Sequence, residues 1–375
     1  MTSLDLHLNY PAKEVVTTDC VEDVACGMYP CYYMEHEGRL KVSSSAAALI
    51  VDSGEFFLND DFKPDFTRFN WYEELHTIDK RVQRLGAFEI RYPGLSENNF
   101  KPARTLKNPD EFIEHSLYYF KKFINSIEKR FPEHDHVVHT GGKDSQLIHL
   151  VPKINDEKWH IFSSEPNAHL VEKWVKQNKV EFNEFFVHDN KNDEDLDFLI
   201  TKLVNSDCIG NPEHIRWNKK LMSISDHFAG KCIFWTGTIG DTIYSIHKDY
   251  VRNDYRDYFK VHCGRAASWQ GNCHQIYFNT TNSPCLSMYH SREIWESLYQ
   301  RLDPSCVQED LRNRLGEKLA GRKIVWLDEN PGPAPWLIDQ EIKRNLLNIY
   351  VDWIRSHISG HSRGKGNPVI PAQAS

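Results

Sequence analysis

Several things are missing from this sequence, and each absence excludes a class of protein. No stretch approaches the roughly 20 consecutive apolar residues that a helix needs to cross a bilayer, so no membrane span is expected. The nine cysteines, Cys20, Cys26, Cys31, Cys208, Cys232, Cys263, Cys273, Cys285 and Cys306, are odd in number and form no Cys-x-x-Cys pair. That pattern argues against a disulfide or zinc framework and for reduced structural thiols. Cys20, Cys26 and Cys31 fit no common zinc spacing and fall in an aromatic-rich stretch that suits burial. Basic excess is missing as well: 45 Lys and Arg against 53 Asp and Glu leave a formal charge of -8 and a pI near 6.2. Phosphate backbones and anionic membranes find no general attraction here, so nucleic acid is not the default partner. The opening residues carry neither the basic nor the apolar region of a signal peptide, and together these features predict a cytoplasmic protein. No internal repeat is visible.

What remains is ample for a globular protein. The chain has 375 residues, 40% hydrophobic and 26% charged, a length that implies about two domains. Residues 1–105 read as short strands and turns, with a hairpin centred on Glu37-Gly38 and a second β segment from Ala87 to Tyr92. A helix starts at Asn108-Pro109-Asp110, with Phe112, Leu117, Phe120, Phe123, Ile124 and Ile127 at helical spacing. Beyond it, buried-type strands at His136–His139, Trp159–Phe162, Phe185–Val187 and Cys232–Trp235 alternate with helices at 145 onward, 168–179, 196–205 and 218–228. Such alternation predicts right-handed βαβ units and a doubly wound parallel sheet covered on both faces, within a second domain spanning 106–358. The pattern then turns helical at 291–302, 307–319 and 338–357, interrupted by a Pro-rich loop at 329–336. Residues 359–375 are small, polar and rich in Pro and Gly, and are expected to be a disordered tail.

The residues richest in chemistry are Thr140-Gly141-Gly142-Lys143-Asp144-Ser145, between a predicted strand and a predicted helix. Paired glycines let backbone N–H groups approach a phosphate, and the helix N-terminus adds partial positive charge. Thr140 and Ser145 offer hydroxyl donors, and Asp144 is placed to hold Mg²⁺. About one hundred residues on, a second strand runs into Thr236-Gly237-Thr238-Ile239-Gly240-Asp241. Ser163, at the end of the strand between them, is a candidate for touching a nucleoside.

The first loop resembles the Ser-Gly-Gly-x-Asp-Ser loop of the PP-loop ATP pyrophosphatase superfamily. The pair of loops resembles the asparagine synthetase and β-lactam synthetase group. That resemblance implies ATP and Mg²⁺, with Thr140 through Ser145 on the phosphates, Asp144 and Asp241 as metal ligands, and Thr236, Gly237 and Gly240 on the second turn. It further implies Lys323, beside Arg322, as the cation that neutralises pyrophosphate. Thr238 stands where relatives carry a catalytic Glu or Tyr, and Thr242 replaces a Glu, so Thr238 is carried as a catalytic position whose chemistry differs; Tyr244 and His247 are conceivable substitutes. The first 105 residues resemble a trimmed glutaminase domain without its nucleophilic cysteine, since Thr2 follows the first Met. The implied activity is formation of an amide from a small-molecule or peptide carboxylate and an amine, through an acyl-adenylate, without glutamine. Two alternatives stand beside it. One is a PP-loop enzyme modifying a nucleotide or tRNA base, with His139, Lys143, Arg252, Arg256 and Arg265 as a local basic face. The other is a non-catalytic nucleotide-binding protein. A homo-oligomer is left open.

Overall fold

The computed structural model describes residues 1–11, 14–25, 27–62, 76–99, 109–189, 217–238, 240, 280–290, 292–293, 311–327 and 340–361. The N-terminal part holds helix α1 (Ser3–Asn9), strands β1 (Val16–Thr18), β2 (Val21–Glu22), β3 (Tyr32–His36) and β4 (Arg39–Ser43), helix α2 (Ala46–Ser53), and strands β5 (Gln83–Arg84), β6 (Glu89–Tyr92) and β7 (Leu95–Asn98). They form two antiparallel sheets, ordered β1-β4-β3-β5 and β2-β6-β7. The β3–β4 hairpin turns where expected, at Glu37 and Gly38, with φ of 50° and 74°. Two positive φ values in a two-residue turn match the right-handed twist of the flanking strands.

Neither α1 nor α2 is marked by amphipathic spacing. Helix α2 is buried from Ala46 through Val51, and a helix apolar all round carries no periodic stripe. Its ends do carry signals: the Ser45 hydroxyl caps the Ala48 N–H at 3.3 Å, and Gly54 ends it at φ 71°. Helix α1 is capped by Thr2, whose hydroxyl accepts from the Asp5 N–H at 2.9 Å. The Thr2 hydroxyl is thus engaged as a cap.

The rest is a mixed α/β assembly. Helix α3 (Pro109–Arg130) leads into β8 (Asp135–His139), α4 (Lys143–Leu150), β9 (Trp159–Ser164), α5 (Asn167–Asn178), β10 (Phe185–His188), α6 (Asn218–His227), β11 (Cys232–Thr236) and β12 (Cys285–Leu286), followed by α7 (Leu311–Ala320) and α8 (Gln340–His361). The five strands form one parallel sheet, ordered β10-β9-β8-β11-β12. Four of them lie where the apolar runs predict; β12, two residues long at the edge, is too short to show a pattern. Neighbouring residues of each strand face opposite ways. Val138, Ile161 and Ile233 join one core with α3, α4, α5 and α7, whereas Val137, Phe162 and Phe234 join another with α2, α6 and α8. Apolar cover on both sides explains why these strands read as continuous apolar runs.

The N-terminal part is fixed to the far edge of this sheet. The Cys285 N–H donates to His7 Nε2 at 2.9 Å, and Arg292 pairs with Glu22 at 2.8 Å. Helix α8 extends to His361, three residues into the segment expected to be a tail. The predicted helix at 196–205, most of 291–302 and the loop 329–336 lie outside the described residues. Among the described residues no helix is long and apolar enough to cross a membrane.

His136 supplies a pH test of this core. It is 1% exposed, stacks on Trp159 at 4.5 Å, and its Nδ1 accepts the Trp235 indole N–H at 3.0 Å. Burial first, then the nearby Lys153 and His134 charges, push its pKa from 6.5 down to about 3. The folded value lies below the unfolded one, so its contribution is whole above pH 6.5 and is lost as pH falls toward 3. Urea midpoints should fall through that window, with this residue contributing up to about 1.4 kcal/mol per pH unit. His136→Gln, which keeps an acceptor for Trp235, should flatten the slope. Core truncation by Ile161→Ala, at a site with 0% exposure, should lower unfolding free energy by roughly 2–5 kcal/mol in the same assay.

Candidate functional site

Strand β8 ends at His139 and the chain turns through Thr140, Gly141 and Gly142 into α4, which begins at Lys143. The Thr140 N–H donates to Phe162 O at 2.8 Å, prolonging the pairing with β9 by one residue. Thr140 is fully buried; its hydroxyl is hydrogen-bonded to Val138 O at 3.1 Å and to His149 Nε2 at 2.8 Å. Ser163, also fully buried, donates from its hydroxyl to Thr140 O at 2.7 Å. These two hydroxyls hold the loop from behind. Ser145 faces the other way along the turn: its Oγ accepts the N–H groups of Gly141 (3.1 Å) and Gly142 (3.4 Å) and donates to Gly142 O (2.9 Å). The two successive N–H groups thus converge on Ser145 Oγ at the N-terminus of a helix, an arrangement that would receive an anion only by displacing that hydroxyl.

Strand β11 lies directly beside β8, with Thr236 opposite His139, so the second glycine loop starts next to the first. The order of the sheet reverses between β8 and β11, and an open α/β sheet leaves a crevice at such a reversal, outside the carboxyl ends of its strands. The loops touch. A Cβ on Gly237 would lie 2.3 Å from Ser145 N, and one on Gly240 would lie 2.6 Å from Asp144 Cβ and 2.9 Å from its Oδ1. Only glycine fits at either position. The Gly240 N–H closes the turn on Gly237 O at 3.1 Å, and the hydroxyls of Thr236 and Thr238 are hydrogen-bonded to each other. After β12, Ser287 donates to Thr238 O at 3.2 Å and Tyr289 Oη donates to Asp144 O at 2.7 Å. One short segment therefore ties down both loops.

Thr140, Gly141, Gly142, Lys143, Asp144, Ser145, Ser163, Thr236, Gly237, Thr238 and Gly240 are thus gathered around the ends of three adjacent strands. Lys323 is not among them. It is exposed, and its neighbours are clamped to the far end of α5: Val325 N–H donates to Asn178 Oδ1 at 2.9 Å, and Arg322 donates to Asn178 O. Helix α5 begins at Asn167, whose Nδ2 would be 3.5 Å from a Cβ on Gly141. At 1.5 Å per residue the two ends of α5 lie roughly 16 Å apart, so Lys323 sits by the end opposite the loop. Asp241, Thr242, Tyr244, His247, Arg252, Arg256 and Arg265 lie outside the described residues.

Besides Lys143 itself, a cation among the described residues that does reach the loops is Arg312, in the first turn of α7, whose guanidinium is bonded to Asp144 Oδ1. Arg312, Ser287 and Tyr289 carry no sequence signal, because each meets its partner across a long separation with no motif at either end. Among the described residues no group of three or more His, Cys, Asp or Glu side chains could hold a metal ion. Mg²⁺ on a nucleotide needs only one or two carboxylates besides phosphate oxygens and water, and Asp144 fits as one of them. No protein-family model matches the chain, and no curated protein matches it; residue roles therefore rest on chemistry and geometry.

Gly237→Ala tests the contact between the loops. The added methyl meets backbone, which cannot swing aside, so the variant should lose both thermal stability and any nucleotide binding measured by calorimetry. Methyl addition at Gly141, where the nearest atom is a side chain at 3.5 Å, should leave the melting temperature within a few degrees.

Proposed function

We propose that this protein is an ATP-dependent, AMP-forming carbon–nitrogen ligase that adenylylates a substrate carboxylate and passes the acyl group to an amine. The observation that carries the reading is the direct contact of two glycine loops at the carboxyl ends of β8 and β11. One loop gathers the Gly141 and Gly142 N–H groups on Ser145 Oγ at a helix N-terminus, where a phosphate oxygen would take the hydroxyl's place; the other closes over Asp144 and Ser145. A triphosphate lying across them would have its charge met by backbone donors and the helix dipole. Asp144 would hold Mg²⁺, which when bound neutralises phosphate charge. The substrate carboxylate then attacks the α-phosphorus, pyrophosphate leaves, and an amine displaces AMP from the acyl carbon. The protein's part in this is position and charge compensation.

A non-catalytic nucleotide-binding role is the second reading, favoured by Lys323 lying at the far end of α5 and by Thr238 standing where relatives have Glu or Tyr. One assay separates the two. ATP–pyrophosphate exchange, screened over amino acids, small diacids and peptides, should reveal a substrate that supports exchange and yields AMP. Asp144→Asn should lower that exchange at least tenfold, while ATP binding with no exchange for any acid would favour the second reading. Formation of ADP and phosphate alone would refute the ligase.

A further inference from the structure

Asp144 Oδ1 is where three elements meet: the first turn of α4, Gly240 of the second loop, and Arg312 of α7. Arg312 and Asp144 keep 21% and 22% of their side-chain exposure, so the pair stands at the edge of the crevice and is not sealed in the core. Helix α7 does not need this pair to dock. Leu311 and Leu315 are fully buried, and Arg314 and Lys318 bind Asp110 and Glu114 on α3. An ion pair at the crevice edge that stays in reach of solvent contributes little to stability in any case. Its electrostatic consequence is larger, since a bare carboxylate beside converging N–H groups would repel an incoming polyphosphate.

We propose that Arg312 is a phosphate-binding latch, neutralising Asp144 in the absence of nucleotide and transferring its guanidinium to the phosphate chain when the metal–nucleotide complex arrives. This rests on the nucleotide site proposed above. A dication on Asp144 and a guanidinium on the same oxygen repel each other, so the arrival of one displaces the other. The displaced fork is suited to phosphate oxygens, which it can engage with two parallel hydrogen bonds. It supplies at the loops the cation that Lys323 is not placed to supply.

The latch makes a prediction that a purely structural residue does not. Arg312→Met and Arg312→Gln should weaken binding of ATP in EDTA roughly ten- to a hundredfold, the loss expected for one charge-assisted contact, and should tighten binding of Mn²⁺ alone. Calorimetry reads the first and the resonance of free Mn²⁺ the second, each on protein whose melting temperature is recorded; Gln is the milder change should Met fail to fold. Arg312→Lys should recover part of the ATP affinity, and Arg314→Met should alter neither measurement. Loss of both affinities together, or no change in either, overturns the latch while leaving the nucleotide site standing. Failure of the unaltered protein to bind ATP with or without Mg²⁺ overturns the nucleotide site and the latch with it.

Discussion

The candidate site depends on one close approach: the loop from Gly237 to Gly240 lies in van der Waals contact with the first turn of α4, where no side chain could be inserted. Parallel strands about 4.8 Å apart bring two strand ends together automatically, but whether the loops that follow them touch is decided by the residues on those loops. Here the absent Cβ atoms of Gly237 and Gly240 let backbone meet backbone at Ser145 and side chain at Asp144. Everything else nearby enforces that contact. Ser163 and His149 hold Thr140 from below, Ser287 and Tyr289 hold Thr238 and Asp144 from the side, and Arg312 closes on the carboxylate.

The parallel sheet was legible because burial on both faces leaves the middle of most strands apolar. Val137-Val138 and Ile233-Phe234 announce themselves as pairs facing two cores. The second glycine loop was legible for a related reason: at Gly237 and Gly240 the closeness of the first turn of α4 leaves no room for a side chain. Elements without such a restriction left no periodic trace. Helix α2 is apolar from Ala46 through Val51, β12 is two residues long, and α1 is fixed by a His7 contact to Cys285, 278 residues away.

Side-chain direction was the other hidden variable. A Thr and two Ser beside a glycine pair suggest hydroxyls aimed at a ligand, yet Thr140 and Ser163 turn inward and Ser145 satisfies its own loop. Sequence records that a hydroxyl is present and is silent on which rotamer the neighbours select. The same blindness applies to two cations. Lys323 lies near a Gly/Pro-rich loop in sequence and near the far end of α5 in space, whereas Arg312, in a helix bearing two other basic residues, touches Asp144.

These placements divide labour within the site. In the proposed nucleotide site, with the hydroxyls of Thr140 and Ser163 spent on holding the loop, the groups to meet an anion would be Lys143, Arg312, the helix terminus and the Gly141 and Gly142 N–H groups that now rest on Ser145 Oγ. Backbone donors are fixed by the fold and require no side chain to be ordered on binding, so their grip is organised in advance. They also have no means of distinguishing one carboxylate or amine from another, because they address only phosphate. Under the ligase reading proposed above, activation and acceptor choice would then reside in different residues, and Thr238 would be where the two meet: its carbonyl is pinned by Ser287 beside the first glycine loop, and its hydroxyl is bonded to that of Thr236. Under that reading, such a fold could exchange its acceptor chemistry at the second loop without disturbing the first, provided that Gly237 and Gly240 stay glycine.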